Sequence, residues 1–180
     1  MRTLPLLVPL IVVSIAAQAQ YPQYPWGYAP YPPPYRPPPA YAPPQSIEQE
    51  MLAAHNAIRA RVGERPLVWS PQVAAVAQDW ANRLIATGAF SHRPNNRYGE
   101  NLYEISGGSM SVNEVVYGWA AEARGYDIRT NTCAGVCGHY TQIVWASTRA
   151  VGCAVASNGY RQVWVCDYDP PGNIIGERPY

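Results

Sequence analysis

Between Gln20 and Gln45 the chain is almost entirely proline and tyrosine, YPQYPWGYAPYPPPYRPPPAYAPP from Tyr21 to Pro44, and this run decides where a fold can begin. Each proline fixes φ and withholds a backbone donor, so the segment favours extended polyproline II and cannot pack a core. At ~3.1 Å per residue it reaches some tens of ångströms. It reads as a semi-rigid spacer or as a ligand for aromatic-lined proline-binding grooves, and the spacer is the commoner use of such a composition.

What precedes this run points to export. Arg2 is a minimal basic start, Leu4 to Ala17 is apolar apart from Pro5 and Pro9, and Ala17-Gln18-Ala19 supplies the small-x-small pattern of a signal-peptidase site. Residues 1–19 therefore read as a signal peptide. A membrane anchor is the rival, but a spanning helix needs ~20 continuous apolar residues and this stretch is shorter. The expected organisation is a signal peptide over 1–19, a Pro/Tyr-rich linker over 20–45 and one domain over 46–180.

A domain of about 135 residues can bury a proper core. The formal net charge of the chain is +1, and no cluster of basic residues marks a face. Nucleic acid is thereby excluded as a partner, because phosphate binding needs concentrated positive charge.

Four cysteines, Cys133, Cys137, Cys153 and Cys166, suit disulfides in an exported chain. Cys153 and Cys166 flank Asn158-Gly159, and a four-residue loop from Asn158 to Arg161 would set them opposite each other on a hairpin. Cys133 and Cys137 enclose Ala-Gly-Val, which can close a small ring. The expected pairs are 133–137 and 153–166. The alternative is a zinc site on Cys133, Cys137 and His139.

Three segments carry helical periodicity. Ile47, Met51, Ile58 and Val62 make one stripe. Ser70-Pro71 is an N-cap followed by proline at the first helical position, and Val73, Ala77, Trp80 and Leu84 follow until Gly88 ends the helix. Val112, Val115, Trp119, Glu122 and Tyr126 form the third stripe. After Cys137 the pattern alternates: His139, Thr141, Ile143 and Trp145 against Tyr140, Gln142, Val144 and Ala146, which predicts a strand. Val151 to Ala156 and Gln162 to Tyr168 predict a hairpin. Helices followed by an antiparallel sheet imply an α+β fold.

Glu122 is anomalous, since it points to the apolar side of its helix, where a carboxylate must be paired or face a cavity. His92 after Ser91, Glu100 within Gly99-Glu100-Asn101-Leu102, and His139 are the other residues suited to chemistry; the first two lie in a predicted loop. Two histidines and two glutamates in one cleft would suit a divalent metal or general acid/base work. Spacing does not bring them together, and each taken singly is more often structural.

The motifs they belong to add a resemblance. Gly138-His139-Tyr140-Thr141-Gln142-Ile143-Val144-Trp145 with Ala146-Ser147-Thr148, and Val165-Cys166-Asp167-Tyr168-Asp169-Pro170-Pro171-Gly172-Asn173, resemble the two signatures of the CAP superfamily, the cysteine-rich secretory proteins, antigen 5 and pathogenesis-related proteins. His55-Asn56-x-x-Arg59, Gly99-Glu100-Asn101-Leu102 and Trp119-x-x-Glu122-x-x-x-Tyr126 match its shorter motifs in the same order. The nearest likeness is to the plant pathogenesis-related group-one type, including the terminal Gly176-Glu177-Arg178-Pro179-Tyr180. Those plant proteins usually carry a third disulfide, and the second signature usually has Asn where this chain has Asp167. The Pro/Tyr run is not a plant feature and suggests a bacterial source.

The resemblance implies a three-layer α-β-α sandwich with a small antiparallel sheet and a cleft where His92, Glu100, Glu122 and His139 converge. It implies zinc or another divalent metal on His92 and His139, not required for the fold, and it recasts His55 with Asn56 as structural. It implies an extracellular chain, or one at a periplasm or cell surface in a bacterium. The function implied is a binding module for a sterol, a fatty acid or a cell-surface component. A metal-dependent hydrolase or protease using Glu100 and Glu122 is the alternative, with serine chemistry through Ser91 weaker still. A third reading makes Pro170 to Tyr180 the precursor of a released peptide.

Overall fold

A computed structural model describes residues 45–180; the expected signal peptide and most of the expected linker lie outside the described residues. The elements run α1 (Ile47–Ala60), β1 (Val68–Trp69), α2 (Pro71–Thr87), β2 (Gly99–Ser106), α3 (Val112–Ala120), a 3₁₀ turn (Ala121–Gly125), β3 (Tyr126–Asp127), β4 (Thr132–Cys133), α4 (Gly138–Ile143), β5 (Ala150–Ser157) and β6 (Arg161–Asp169).

Local chemistry accounts for the helix limits. Ser46 and Ser111 each accept a hydrogen bond from the backbone three residues on, and Gln49 and Glu114 return one, closing capping boxes on α1 and α3. Ser70 caps α2 with Pro71 behind it, and Gly88, at φ 72°, ends that helix in the left-handed conformation. No helix among the described residues is long and apolar enough to cross a membrane.

One sheet has the order β1-β5-β6-β2, antiparallel throughout except for the two-residue edge strand β1, which runs parallel to β5. The expected antiparallel sheet thus carries one short parallel edge strand, and β3 and β4 form a separate antiparallel pair. Alternation along β6 builds two cores. Val163 and Val165 pack with Ala77, Trp80, Ala81 and Leu84 of α2. Trp164, Cys166 and Tyr168 face the opposite layer of α1, α3 and α4. At Gly152 any Cβ would overlap the backbone of Val73 and Ala74, so α2 lies directly on the strand. The result is the expected three-layer α+β sandwich.

The segment predicted as a strand after Cys137 is instead α4. Thr141 N donates to Cys137 O at 2.9 Å and Val144 N to Tyr140 O at 3.1 Å. Every residue from Tyr140 to Trp145 is buried, so this short helix lacks the polar face that would have marked it as one. Conversely, Gly99–Ser106, expected as a loop, is the edge strand β2. Glu122 does not lie on α3, which ends two residues earlier, but on the 3₁₀ turn. Val62 and Tyr126 likewise fall beyond their helices.

The disulfides are Cys133–Cys137 and Cys153–Cys166, which leaves no thiol for a Cys133/Cys137/His139 zinc site. Cys153 and Cys166 are register partners on the hairpin that turns through Asn158-Gly159. Behind the sheet Arg59 is wholly buried, and its Nη1 donates to Ile143 O at 2.8 Å and Trp145 O at 2.9 Å, satisfying carbonyls that α4 leaves free at its C-terminus.

Candidate functional site

The loop between α2 and β2 and the start of α4 approach each other at one end of the sheet. They form a cleft of about 220 Å³ lined by His92, Glu100, Asn101, Val136, Gly138, His139 and Asn173. Three of the four residues expected to converge line it, and Glu122 stands behind His139.

Each histidine is held by one glutamate. His92 Nδ1 and Glu100 Oε1 are 2.6 Å apart, as are His139 Nδ1 and Glu122 Oε1. A carboxylate oxygen accepts, so Nδ1 is the donor nitrogen in both rings. No hydrogen bond engages either Nε2 among the described residues.

The carboxylates are themselves fixed. Glu122 Oε2 accepts from the backbone N–H of His139 at 2.9 Å and of Tyr140 at 3.3 Å, at the N-terminus of α4. Glu100 Oε1 also accepts from Arg93 N at 3.0 Å, and Asn96 Nδ2 reaches its Oε2 at 3.5 Å. The His139 ring stacks on Trp119 at 6.0 Å between centroids, and Trp119 Nε1 donates to Leu102 O. Below the cleft, Asn101 Nδ2 donates to His139 O at 3.1 Å and to Tyr168 Oη at 3.0 Å.

Tyr168 in turn meets His55 Nε2 at 2.8 Å, while His55 Nδ1 donates to Met51 O at 2.7 Å. Burial pushes the His55 pKa down to about 4, against the raising effect of its bond to Met51 O, so the ring is neutral. Asn56 bonds the backbone of Leu67 in both directions. His55 and Asn56 are therefore satisfied within the core, away from the cleft. His55 also lies near Cys153 and Cys166, but those sulfurs are bonded to each other and supply no thiolate ligand.

A larger groove of about 530 Å³ opens beside the cleft, between the Cys133–Cys137 loop and residues 173–179. Tyr126, Val136, Trp145 and Ile174 give it apolar walls, and Val136, Gly138 and Asn173 line both spaces. Val136 and Ile174 remain 68 % and 45 % exposed, and the adjacent Ile175 is fully so. Ser91 takes part through its backbone: its carbonyl accepts from Trp80 Nε1 at 3.0 Å.

Two residues of the site were not singled out for it in the sequence. Asn96 links β6 to Glu100, and nothing in its local pattern marks it. Asp167, noted only as a departure from a motif, donates nothing and accepts from Asn96 Nδ2 at 2.9 Å. Its signal was available, since it continues the inward series Val163, Val165 on a buried strand and a charge there is out of place.

The chain matches the cysteine-rich secretory protein family (CAP) over residues 52–168. It is 49% identical over 139 residues to pathogenesis-related protein 1A of Nicotiana tabacum, covering 76% of this chain and 82% of that one. It is 42% identical over 137 residues to pathogenesis-related protein 1 of Arabidopsis thaliana, covering 76% and 84%. Among solved structures it resembles venom allergen-like protein 4 of Schistosoma mansoni, with a TM-score of 0.62 and 26% identity over 76% of this chain and 94% of that one. NaASP2, solved with Zn2+, shares the fold with a TM-score of 0.61 and 24% identity, over 74% and 84%. With its paired His/Glu cleft, sandwich fold and level of identity, the chain belongs to the CAP family, in its pathogenesis-related protein 1 branch.

Proposed function

We propose that this chain is an exported binding module that holds a divalent metal, zinc in the first place, on His92 and His139 and takes an apolar ligand such as a sterol or fatty acid in the adjoining groove. The carrying observation is the state of the two imidazoles: in each, a carboxylate fixes Nδ1–H and leaves Nε2 open. Carboxylate–histidine pairs of this kind orient metal ligands and raise their basicity. Zinc, when bound, would supply a Lewis acid with coordination positions open to a ligand. Glu100 and Glu122 orient the rings from behind. The two disulfides and the signal-peptide pattern over residues 1–19 support an extracellular location.

Catalysis by Glu100 or Glu122 finds less support. Both carboxylates already accept two or more hydrogen bonds that hold the cleft together, which favours an orienting role over that of a base toward water. Ser91 Oγ makes no hydrogen bond to a histidine among the described residues, which removes the geometry a nucleophile needs. Release of Pro170 to Tyr180 as a peptide would break Gly172 N to Gln142 Oε1, Asn173 to Gly138 O and Thr141, and Ala146 N to Pro179 O. The tail is a wall of the groove.

Zinc titration by calorimetry tests the metal: wild-type chain binds and the His92→Ala/His139→Ala variant does not. Equal binding by both rejects the site. Sterol and fatty-acid binding at micromolar concentration tests the groove, and its loss in Val136→Asp locates the ligand there.

A further inference from the structure

Asp167 stands directly opposite Glu100 in the β2–β6 register, on the α2 side of the sheet. Opposed side chains in antiparallel strands lie about 5 Å apart at Cβ, close enough for like charges to repel. Asp167 is wholly buried, its Oδ1 accepts from Asn96 Nδ2, and its Oδ2 has no hydrogen-bond partner among the described residues. The same Asn96 amide nitrogen is the one that reaches Glu100 Oε2. One amide thus spans two carboxyl groups, and Glu100 holds His92.

We infer that Asp167 is a positioning residue for the His92 side of the cleft: a buried carboxyl, neutral when it holds its proton, whose ionisation adds a second negative charge behind Glu100 and shifts the Glu100–His92 pair. Both states leave the backbone pairing intact; they differ in charge alone.

The groups facing Asp167 make the proton hard to lose. From β2 comes Glu100, a like charge. From the α2–β2 loop come Asn96, a neutral donor, and the more distant Arg93, whose own charge is shared with Asp79 of α2. From β5 the register partner is Gly152, which offers no charge. Burial dominates, and Glu100 adds to it, against the lowering by Asn96 and Arg93; the carboxyl is pushed up to about 7. An unfolded aspartate titrates near ~3.9. Above that value the folded state binds the extra proton, so stability falls as pH rises toward 7 and levels off beyond it. Where a single proton separates the two states, the unfolding constant rises about tenfold per pH unit.

The test compares the full chain with Asp167→Asn, with chelator present so that metal plays no part. The wild-type unfolding constant, divided by that of the variant, should rise at least tenfold between pH 5 and 7. In wild type the His92 ring resonances should show an inflection tracking the Asp167 side-chain carbon, and that inflection should vanish in Asp167→Asn. A carboxyl carbon that titrates near pH 4 overturns the inference, and it is readable in wild type even if the variant does not fold. A stability effect with an unaltered His92 titration also overturns it, since a merely structural carboxyl would behave that way. None of these readouts depends on zinc or lipid binding.

Discussion

The two halves of the cleft are built from the same pair of side chains and supported differently. His139 opens a helix, stacks on Trp119 and is gripped by Glu122 through its ring and its own backbone N–H. His92 lies in a loop, its side chain 65 % exposed against 29 % for His139, and its glutamate shares a buried wall with a second carboxyl. One half is fixed by the core and the other is held from one side. A ligand larger than the 220 Å³ cleft would therefore enter by moving His92, not His139.

The largest expected effect tests this directly. Trp119 is 2 % exposed, packs against α1 and supports His139, so Trp119→Ala should cost about 3–5 kcal/mol by chemical denaturation. The matching change behind His92 is Trp80→Ala. It removes the bond to Ser91 O and the ring under Arg93. That variant should lose stability as well, yet only it should free the His92 loop, seen as faster amide exchange from Ser91 to Tyr98. Equal exchange in both variants would make the two halves equivalent.

Next in size is acid sensitivity. His55 is neutral in the fold at a pKa of about 4 and ordinary, near 6.5, when unfolded. Below pH 6.5 the unfolded chain binds the extra proton, so stability falls with acid until about pH 4, by on the order of 3 kcal/mol. Asp167 has the opposite slope over much of that window. Wild type should thus show a shallow profile and Asp167→Asn a steeper one, in denaturation followed from pH 4 to 7.

Removing either carboxylate separates the halves again. Glu122→Ala strips three hydrogen bonds from the first turn of α4, about 2–3 kcal/mol for bonds to a charged acceptor in a partly buried place. Glu100→Ala also loses bonds, but above pH 7, where Asp167 is ionised, it relieves the repulsion between them, so there it should cost up to about 1 kcal/mol less. As isosteres, Glu122→Gln and Glu100→Gln should each weaken zinc about 10–100-fold in calorimetry.

These contrasts also explain how much of the fold is legible in the sequence. The stripes of α1, α2 and α3 are legible because each helix has a buried and an open face, the condition under which periodicity means something; the β5–β6 hairpin, buried on both faces along β6, is legible from its β-branched and aromatic residues around Asn158-Gly159. The segment from Tyr140 to Trp145 has no open face, and its Thr, Ile and Val residues favour strand, so its pattern predicts a strand where the helix that carries His139 forms. Strand β2 was missed for the opposite reason: at the sheet edge it is largely half-buried, and its pattern of Gly, Glu, Asn and Tyr resembles a loop. The four residues of the cleft were named from motifs. Their pairing depends on how the 3₁₀ turn meets α4 and how the α2–β2 loop meets β2, and the setting of Asp167 on strand register, none of which a local pattern carries.

The smallest predicted change concerns an ion pair on the His92 side that reaches the surface. Arg93 pairs with Asp79, whose side chain is 58 % exposed. Exposed pairs of this kind contribute about 0–1 kcal/mol and weaken with salt. Asp79→Ala should lower stability by a few tenths of a kcal/mol at low salt and by less in 0.5 M salt, where screening shortens to a few ångströms. The Arg93 backbone N–H stays on Glu100, and the guanidinium still has Val76 O and the Trp80 ring. His92 shifts in NMR should accordingly stay as in wild type. A displaced His92 in that variant would mean that the loop is positioned by surface charge, and the contrast between a core-fixed and a one-sided half of the cleft would have to be drawn more sharply still.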